Sequence, residues 1–198
     1  MARIKPLSSD HTPELAERFA FFEKTLGFVP NSLLTMQRKP KIVEALVQLS
    51  AAIYDPDGKV DLGFKRLIAH VASAAFGCQY CKAHTAVSAS RHGISVEKLE
   101  AIWNYSNSDY YSDAEVKALD FAFAAASHPN AVTDELFKDV RQYWSEDEVI
   151  EIMAVISLFG FFNRWNDSMA TPLEAEPLNI AEKHLSQSGW TIGKHVES

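Results

Sequence analysis

Apolar residues recur at helical spacing along almost the whole chain, and no segment alternates convincingly with the period of two that a half-buried strand requires. This pattern predicts an all-α fold, and start and stop signals divide it into elements. Thr12-Pro13 reads as a helix start, with threonine as N-cap and proline in the first turn; Leu15, Phe19, Phe22 and Leu26 form the buried stripe and Gly27 the end. Asn31 is placed to cap a short turn through Met36. Pro40 opens a helix carrying Val43, Leu46, Val47 and Ile53, closed by the turn Asp55-Pro56-Asp57-Gly58. Asp61 stands at the N-cap of the next helix, which runs through Leu67, Ile68, Val71 and Ala75 to Gly77. Another runs from Cys78 to about His92, with Gly93 at its C-cap and His92 read as a cation on the helix end. Ser95 caps a short helix through Trp103, followed by an aromatic, polar loop from Asn104 to Tyr111. Ser112-x-x-Glu115 and Ser145-x-x-Glu148 are capping boxes before apolar runs, and Thr133 caps the helix between them. Pro172 is read as the end of the ordered core. That gives one all-helical domain over residues 1–173 and a polar tail over 174–198, in which Trp190 hints at docking.

A shift of 85 residues, Arg66 onto Glu151, lays the helix before Gly77 over the apolar run from Glu151 to Phe161. Ala69 meets Ala154, Phe76 meets Phe161, and Cys78-x-Tyr80-Cys81 falls on Asn163-x-Trp165-Asn166. Two helix–break–helix units, at about 40–93 and 112–171, read as an internal duplication with thiols in one copy only.

The bulk properties remove several classes of function. With 198 residues the chain can bury a full core, and a net charge of −7 argues against nucleic acid or an anionic membrane as partner. The longest apolar stretch, Val149 to Phe162, is too short to span a bilayer and contains Glu151. Met1 to Pro6 leads into polar sequence without an apolar signal segment, so the expected address is cytoplasmic. There the two cysteines, spaced C-x-x-C, read as redox-active or metal-binding rather than as a structural staple.

Placed at a helix start, Cys78 and Cys81 gain from the unpaired N–H groups and the dipole, which favour a thiolate. Spacing of three puts both sulfurs on one side of the first turn, within reach of a disulfide. His84 lies three residues beyond Cys81 and shares its face, which pairs it with Cys81 rather than Cys78. Zinc is disfavoured because no second Cys/His pair stands at ligand spacing, so no metal is expected. His70, mid-helix among apolar residues, reads first as a core histidine, and the cluster Asn163 to Asp167 as a polar, hydrogen-bonded part of the second unit.

Phe76-Gly77 followed by Cys78-x-Tyr80-Cys81-x-x-His84-Thr85 resembles the alkylhydroperoxidase D / carboxymuconolactone decarboxylase family, and the segments Leu26 to Leu34 and Leu158 to Asp167 resemble its longer members. The resemblance spans Ile4 to Leu173. It implies an all-helical fold with internal pseudo-symmetry, assembled as a homo-oligomer (dimer, trimer or hexamer). The implied activity is thiol-dependent peroxide reduction or dithiol–disulfide exchange, with no cofactor beyond a redox-active disulfide. By the same resemblance Cys81 attacks the peroxide, Cys78 resolves the sulfenic acid, and an external dithiol, lipoyl- or thioredoxin-type, restores the pair.

Two positions depart from the family pattern. Arg66 stands where the family has a proton-relay glutamate, and the family histidine position holds Thr85, with His84 one residue earlier. Base function then falls to His84, to His70, or to a carboxylate such as Glu151 or Asp167 brought in by folding or by a neighbouring subunit; alternatively Arg66 holds the thiolate. Retention of both cysteines favours redox work over lactone decarboxylation. The other readings are a redox sensor or scaffold without turnover, and a non-redox small-molecule enzyme.

Overall fold

The computed structural model describes residues 2–196. Among them there is no strand, and ten α-helices follow in order: α1 Ala16–Leu26, α2 Asn31–Met36, α3 Pro40–Ile53, α4 Leu62–Phe76, α5 Gln79–Arg91, α6 Val96–Glu100, α7 Asp113–Ala126, α8 Asp134–Val140, α9 Glu146–Met169 and α10 Ala175–His184. The all-α expectation holds, and for local reasons. Asp61, Ser95, Thr133, Ser112 and Ser145 each accept the backbone N–H three residues on, the last two as full capping boxes.

Helix α4 is the hub, with Leu67 through Ser73 all buried and with α5, α7 and α9 packed around it. A helix enclosed on every side has no need of a polar face. Gly63 lets the start of α4 pass the end of α5, since a Cβ there would meet the His92 carbonyl oxygen at 2.6 Å. A second cluster, Leu15, Phe19, Val29, Leu33, Met36, Val43 and Leu46, seats α1 to α3 against Leu158 of α9. Fully burying each such aliphatic side chain contributes about 1.5–3 kcal/mol.

Four local readings change. Thr12-Pro13 begins a 3-10 turn, Pro13–Leu15, before α1 proper. Pro30, not Asn31, is the N-cap of α2, because the Asn31 amide instead donates to the Pro172 carbonyl at 3.0 Å. Helix α9 runs unbroken where a break was expected. Under the 85-residue shift Gly77, with φ +91°, falls on Phe162, and a bulky side chain disfavours that left-handed conformation. Ordered packing also continues past Pro172. Ala181 and Leu185 are fully buried, α10 packs on α5, and the buried Trp190 donates its indole N–H to the Gln79 carbonyl at 3.0 Å.

Candidate functional site around the dithiol

Gly77 closes α4 in the left-handed conformation, its N–H returning to the carbonyls of Ser73 and Ala74. That sharp stop lets α5 begin at once, with Cys78 as its N-cap. The Cys78 sulfur accepts the Cys81 backbone N–H at 3.3 Å, so the sulfur occupies the place that a serine hydroxyl takes at other helix starts. An N–H donor and the positive end of the helix both stabilise negative charge on Cys78 Sγ.

Cys81 sits differently. Burial pushes its thiol well above the ordinary value, and the neighbouring Cys78 adds to this. The Asn166 amide, donating to Cys81 Sγ at 3.6 Å, opposes the shift, while the Asp167 charge reinforces it. Both thiols are free, and both are closed off from solvent. Cys81 and Asn166 are the positions that coincide under the 85-residue shift, and in the fold their side chains touch.

His84 does not turn to sulfur. Its ring stacks on Tyr80 with centroids 4.3 Å apart, and its Nε2–H donates to Glu174 Oε2 at 2.6 Å. The other Glu174 oxygen accepts the Tyr80 hydroxyl at 2.9 Å and the Asn31 backbone N–H at 2.5 Å. Burial works to raise the Glu174 carboxyl, but His84 and the N–H donors outweigh it and hold it below the usual range. The carboxylate therefore comes from the segment read as a tail, 90 residues from His84. Its polar composition gave no sign of this; the docking suggested by Trp190 was the one sequence signal that pointed there.

The remaining residues singled out from the sequence scatter. His70 Nδ1 meets Thr85 Oγ1 at 2.8 Å, and Thr85 also donates to the Cys81 carbonyl at 2.8 Å, so these two brace the first turns of α5. Burial drives His70 down to about 3, which keeps the ring neutral at ordinary pH. Arg66 lays its guanidinium 3.4 Å over the Tyr54 ring. Glu151 holds the buried Lys65 ammonium at 2.8 Å and accepts the backbone N–H groups of Lys59 and Val60, tying α9 to the approach to α4. Asp167 pairs with Lys194 at 2.7 Å. Neither Arg66 nor Glu151 is brought to the sulfurs by a hydrogen bond. His92, as read, caps α5, and its ring Nδ1 meets the Ser88 carbonyl.

Among the described residues no three His, Cys, Asp or Glu side chains converge on a place for a metal ion, and no helix is long and apolar enough to cross a membrane. Two apolar surface hollows, of about 260 and 220 Å³, lie apart from the thiols; the larger is lined by Leu46, Leu49, Ile53, Leu158 and Phe161.

The fold has counterparts among known proteins. The model of the carboxymuconolactone decarboxylase family matches residues 40–124, which contain both cysteines and His84. The uncharacterised protein YnjA of Escherichia coli K12 is 29% identical over 97 residues, 49% of this chain, and the match spans just over half, 53%, of YnjA. The crystal structure of the debrominase Bmp8 superposes with a TM-score of 0.84 at 37% identity, covering 91% of this chain and 96% of Bmp8. A Cys→Ala variant of Bmp8 in complex with 2,3,4-tribromopyrrole gives 0.85 at 36% identity, with the same coverage. An alkylhydroperoxidase AhpD core structure, an uncharacterised peroxidase-related protein from Ralstonia eutropha JMP134, shares the fold at 23% identity (TM-score 0.75, 83% of this chain, 87% of that one). Near-complete coverage of Bmp8, the match around the dithiol and the shared helical fold agree: the chain belongs to the carboxymuconolactone decarboxylase family.

Proposed function

We propose that this chain is a dithiol-dependent reductase of small molecules, in which Cys78 and Cys81 together give up two electrons and end as a disulfide. The observation that carries the reading is the Cys78 sulfur seated on the Cys81 N–H at the start of α5, with a carboxylate-anchored histidine one turn on. Cys78 Sγ already accepts an N–H donor at the helix start, whereas burial and the neighbouring sulfur raise the Cys81 thiol. On that geometry Cys78 is the attacking sulfur and Cys81 the resolving thiol, the reverse of the order that the family resemblance implies.

With a hydroperoxide ROOH, Cys78 attacks the terminal oxygen. The S–O bond forms as the O–O bond breaks, and the departing RO⁻ takes up the proton that the Cys78 thiol gives up to His84 Nδ1, the ring nitrogen left free by the contact with Glu174. Cys81 then attacks the sulfenic sulfur, the S–S bond forms as the S–O bond breaks, and the departing hydroxide takes the Cys81 proton to leave as water. ROOH and two thiols become ROH, water and a disulfide, which an external lipoyl- or thioredoxin-type dithiol reduces again. No bound cofactor is required. We also propose a homo-oligomer, with the apolar hollow between α3 and α9, where Leu49 and Phe161 are exposed, as a contact between copies.

The likeness to Bmp8 favours a second substrate class for the same dithiol, a brominated heteroaromatic. Cys78 would attack bromine, forming S–Br as C–Br breaks; the ring carbanion takes a proton, and Cys81 displaces bromide to close the disulfide. The balance is ArBr and two thiols to ArH, HBr and a disulfide. Reduced protein challenged with tert-butyl hydroperoxide and with a polybrominated pyrrole, with dithiol regeneration, tests both. Disulfide formation with repeated turnover supports the reading. A Cys78→Ser/Cys81→Ser double variant that turns over as fast as the wild type overturns it, and one-time oxidation without turnover supports a redox sensor instead.

A further inference from the structure

Beside Cys81, helix α9 buries polar groups that find no partner among the described residues. Asn163 and Asn166 are almost wholly buried, one turn apart on the same face. Both amide atoms of Asn163 lack a partner, as does Asn166 Oδ1, while Asn166 Nδ2 points at Cys81 Sγ. The unpartnered groups continue past the end of α9. Thr171 donates its N–H to the Asn166 carbonyl but leaves its hydroxyl unpartnered, and His195 donates Nδ1–H to the Thr171 carbonyl at 2.8 Å but leaves Nε2 unpartnered.

An amide buried without hydrogen bonds is costly, and two on one helix face beside a reactive sulfur are unexpected in a purely structural core. Asn166 Nδ2 lies 3.6 Å from Cys81 Sγ, so a molecule bound at the dithiol meets this amide. We propose that Asn163 and Asn166 form a recognition subsite for the substrate of the dithiol, selecting a compact, uncharged molecule that both donates and accepts hydrogen bonds.

The chemistry of the groups defines the class. Asn163 offers two N–H donors and an acceptor oxygen, Asn166 an acceptor, Thr171 a hydroxyl, and His195 an acceptor nitrogen, since its proton is committed to Thr171. Burial lowers the His195 pKa and so favours the neutral ring. Asp167, the residue after Asn166, is paired with Lys194 at 2.7 Å. Hydroperoxides, ring N–H heterocycles and small amides fit this pattern; carboxylates and ammonium groups find no counter-charge. The inference rests on the dithiol reading for its substrate, but its test does not depend on turnover.

The reduced full-length protein is alkylated with iodoacetamide, neutral with donor and acceptor, and with 1-iodopropane, its apolar counterpart in size, each rate normalised to that of free dithiothreitol. The subsite predicts a preference for iodoacetamide of roughly tenfold or more, the ratio that about 1.4 kcal/mol of hydrogen bonding produces. In Asn163→Leu and Asn166→Leu, which keep the side-chain shape, the preference falls toward unity. Melting of the same variants without ligand separates recognition from structure. Removing unsatisfied amides leaves the melting temperature unchanged or raises it by about 2–4 °C. A wild type with no preference, variants that retain it, or Leu variants that melt lower than the wild type would each overturn the proposal. Loss of peroxide turnover with the alkylation preference intact would instead count against the reductase reading alone.

Discussion

Replacing Glu174 by glutamine probes the anchor of His84 with little change of shape. In the wild type, Oε1 accepts from the Asn31 N–H and the Tyr80 hydroxyl, and Oε2 accepts the His84 Nε2–H. Glutamine can keep the first two contacts, but it turns an NH₂ toward His84, so Nε2 must become an acceptor and the ring proton must move to Nδ1. The loss is one charge-assisted hydrogen bond in a site where the carboxylate is only 10% exposed, worth about 1.5–3 kcal/mol. For a chain of this size that lowers the melting temperature by about 3–12 °C. The pH dependence fixes the sign. A carboxyl held below its usual range contributes stability that is fully present above that range and is lost as pH falls through the folded value. The gap between wild type and E174Q should therefore be full near about pH 7.5 and should close below about pH 4. Melting of the reduced protein by circular dichroism at both ends of that window measures it, with thiol-oxidation rates at the upper end; a slowed rate is expected because His84 is in the wrong tautomer. A melting temperature within about 1 °C of wild type near neutrality, or a gap that persists undiminished in acid, would refute the reasoning.

Other perturbations separate structure from chemistry. Cys78→Ser keeps an N-cap acceptor whereas Cys78→Ala does not, so chemical denaturation should place the alanine variant about 0.5–2 kcal/mol lower while both lose turnover; equal stabilities would contradict the cap. In Cys81→Ser, a sulfenic-acid trap such as dimedone should label Cys78; failure to label it, with labelling of Cys81 in Cys78→Ser, would restore the order implied by the family. His70 binds a proton in the unfolded chain below about pH 6.5 but in the folded chain only near about 3, so its contribution falls as pH drops through that window. His70→Gln should remove up to about 1.4 kcal/mol per pH unit from the slope of stability in urea titrations, and an unchanged slope would sink the assignment. Lys65→Ala removes a buried ammonium that bonds Glu151 and the Ile53 carbonyl and should cost about 1–3 kcal/mol while the folded protein keeps its thiol reactivity; a selective loss of reactivity would return Glu151 to the site.

The helices were legible because their signals are local. Ser112, Ser145, Thr133 and Ser95 meet backbone groups three residues away, and amphipathic spacing needs only a few turns to show. The misreading of α9 shows the limit of pattern matching. Its apolar positions follow those around Gly77, yet conformation there turns on one glycine that α9 lacks. Asn163 and Asn166 were legible as a cluster, but not that their amides would be left without partners.

By itself, then, the sequence determined an all-α chain with a C-x-x-C at the start of a helix. Only the tertiary structure decided what surrounds the sulfurs. It gave Glu151 to Lys65 and Arg66 to Tyr54, and it brought Glu174 to His84 across 90 residues from a segment read as a tail. The reason is physical: a cap or a helix stripe is specified by residues within a turn or two of each other. A buried carboxylate is instead held by partners far apart in sequence, here Asn31, Tyr80 and His84, which only folding brings together.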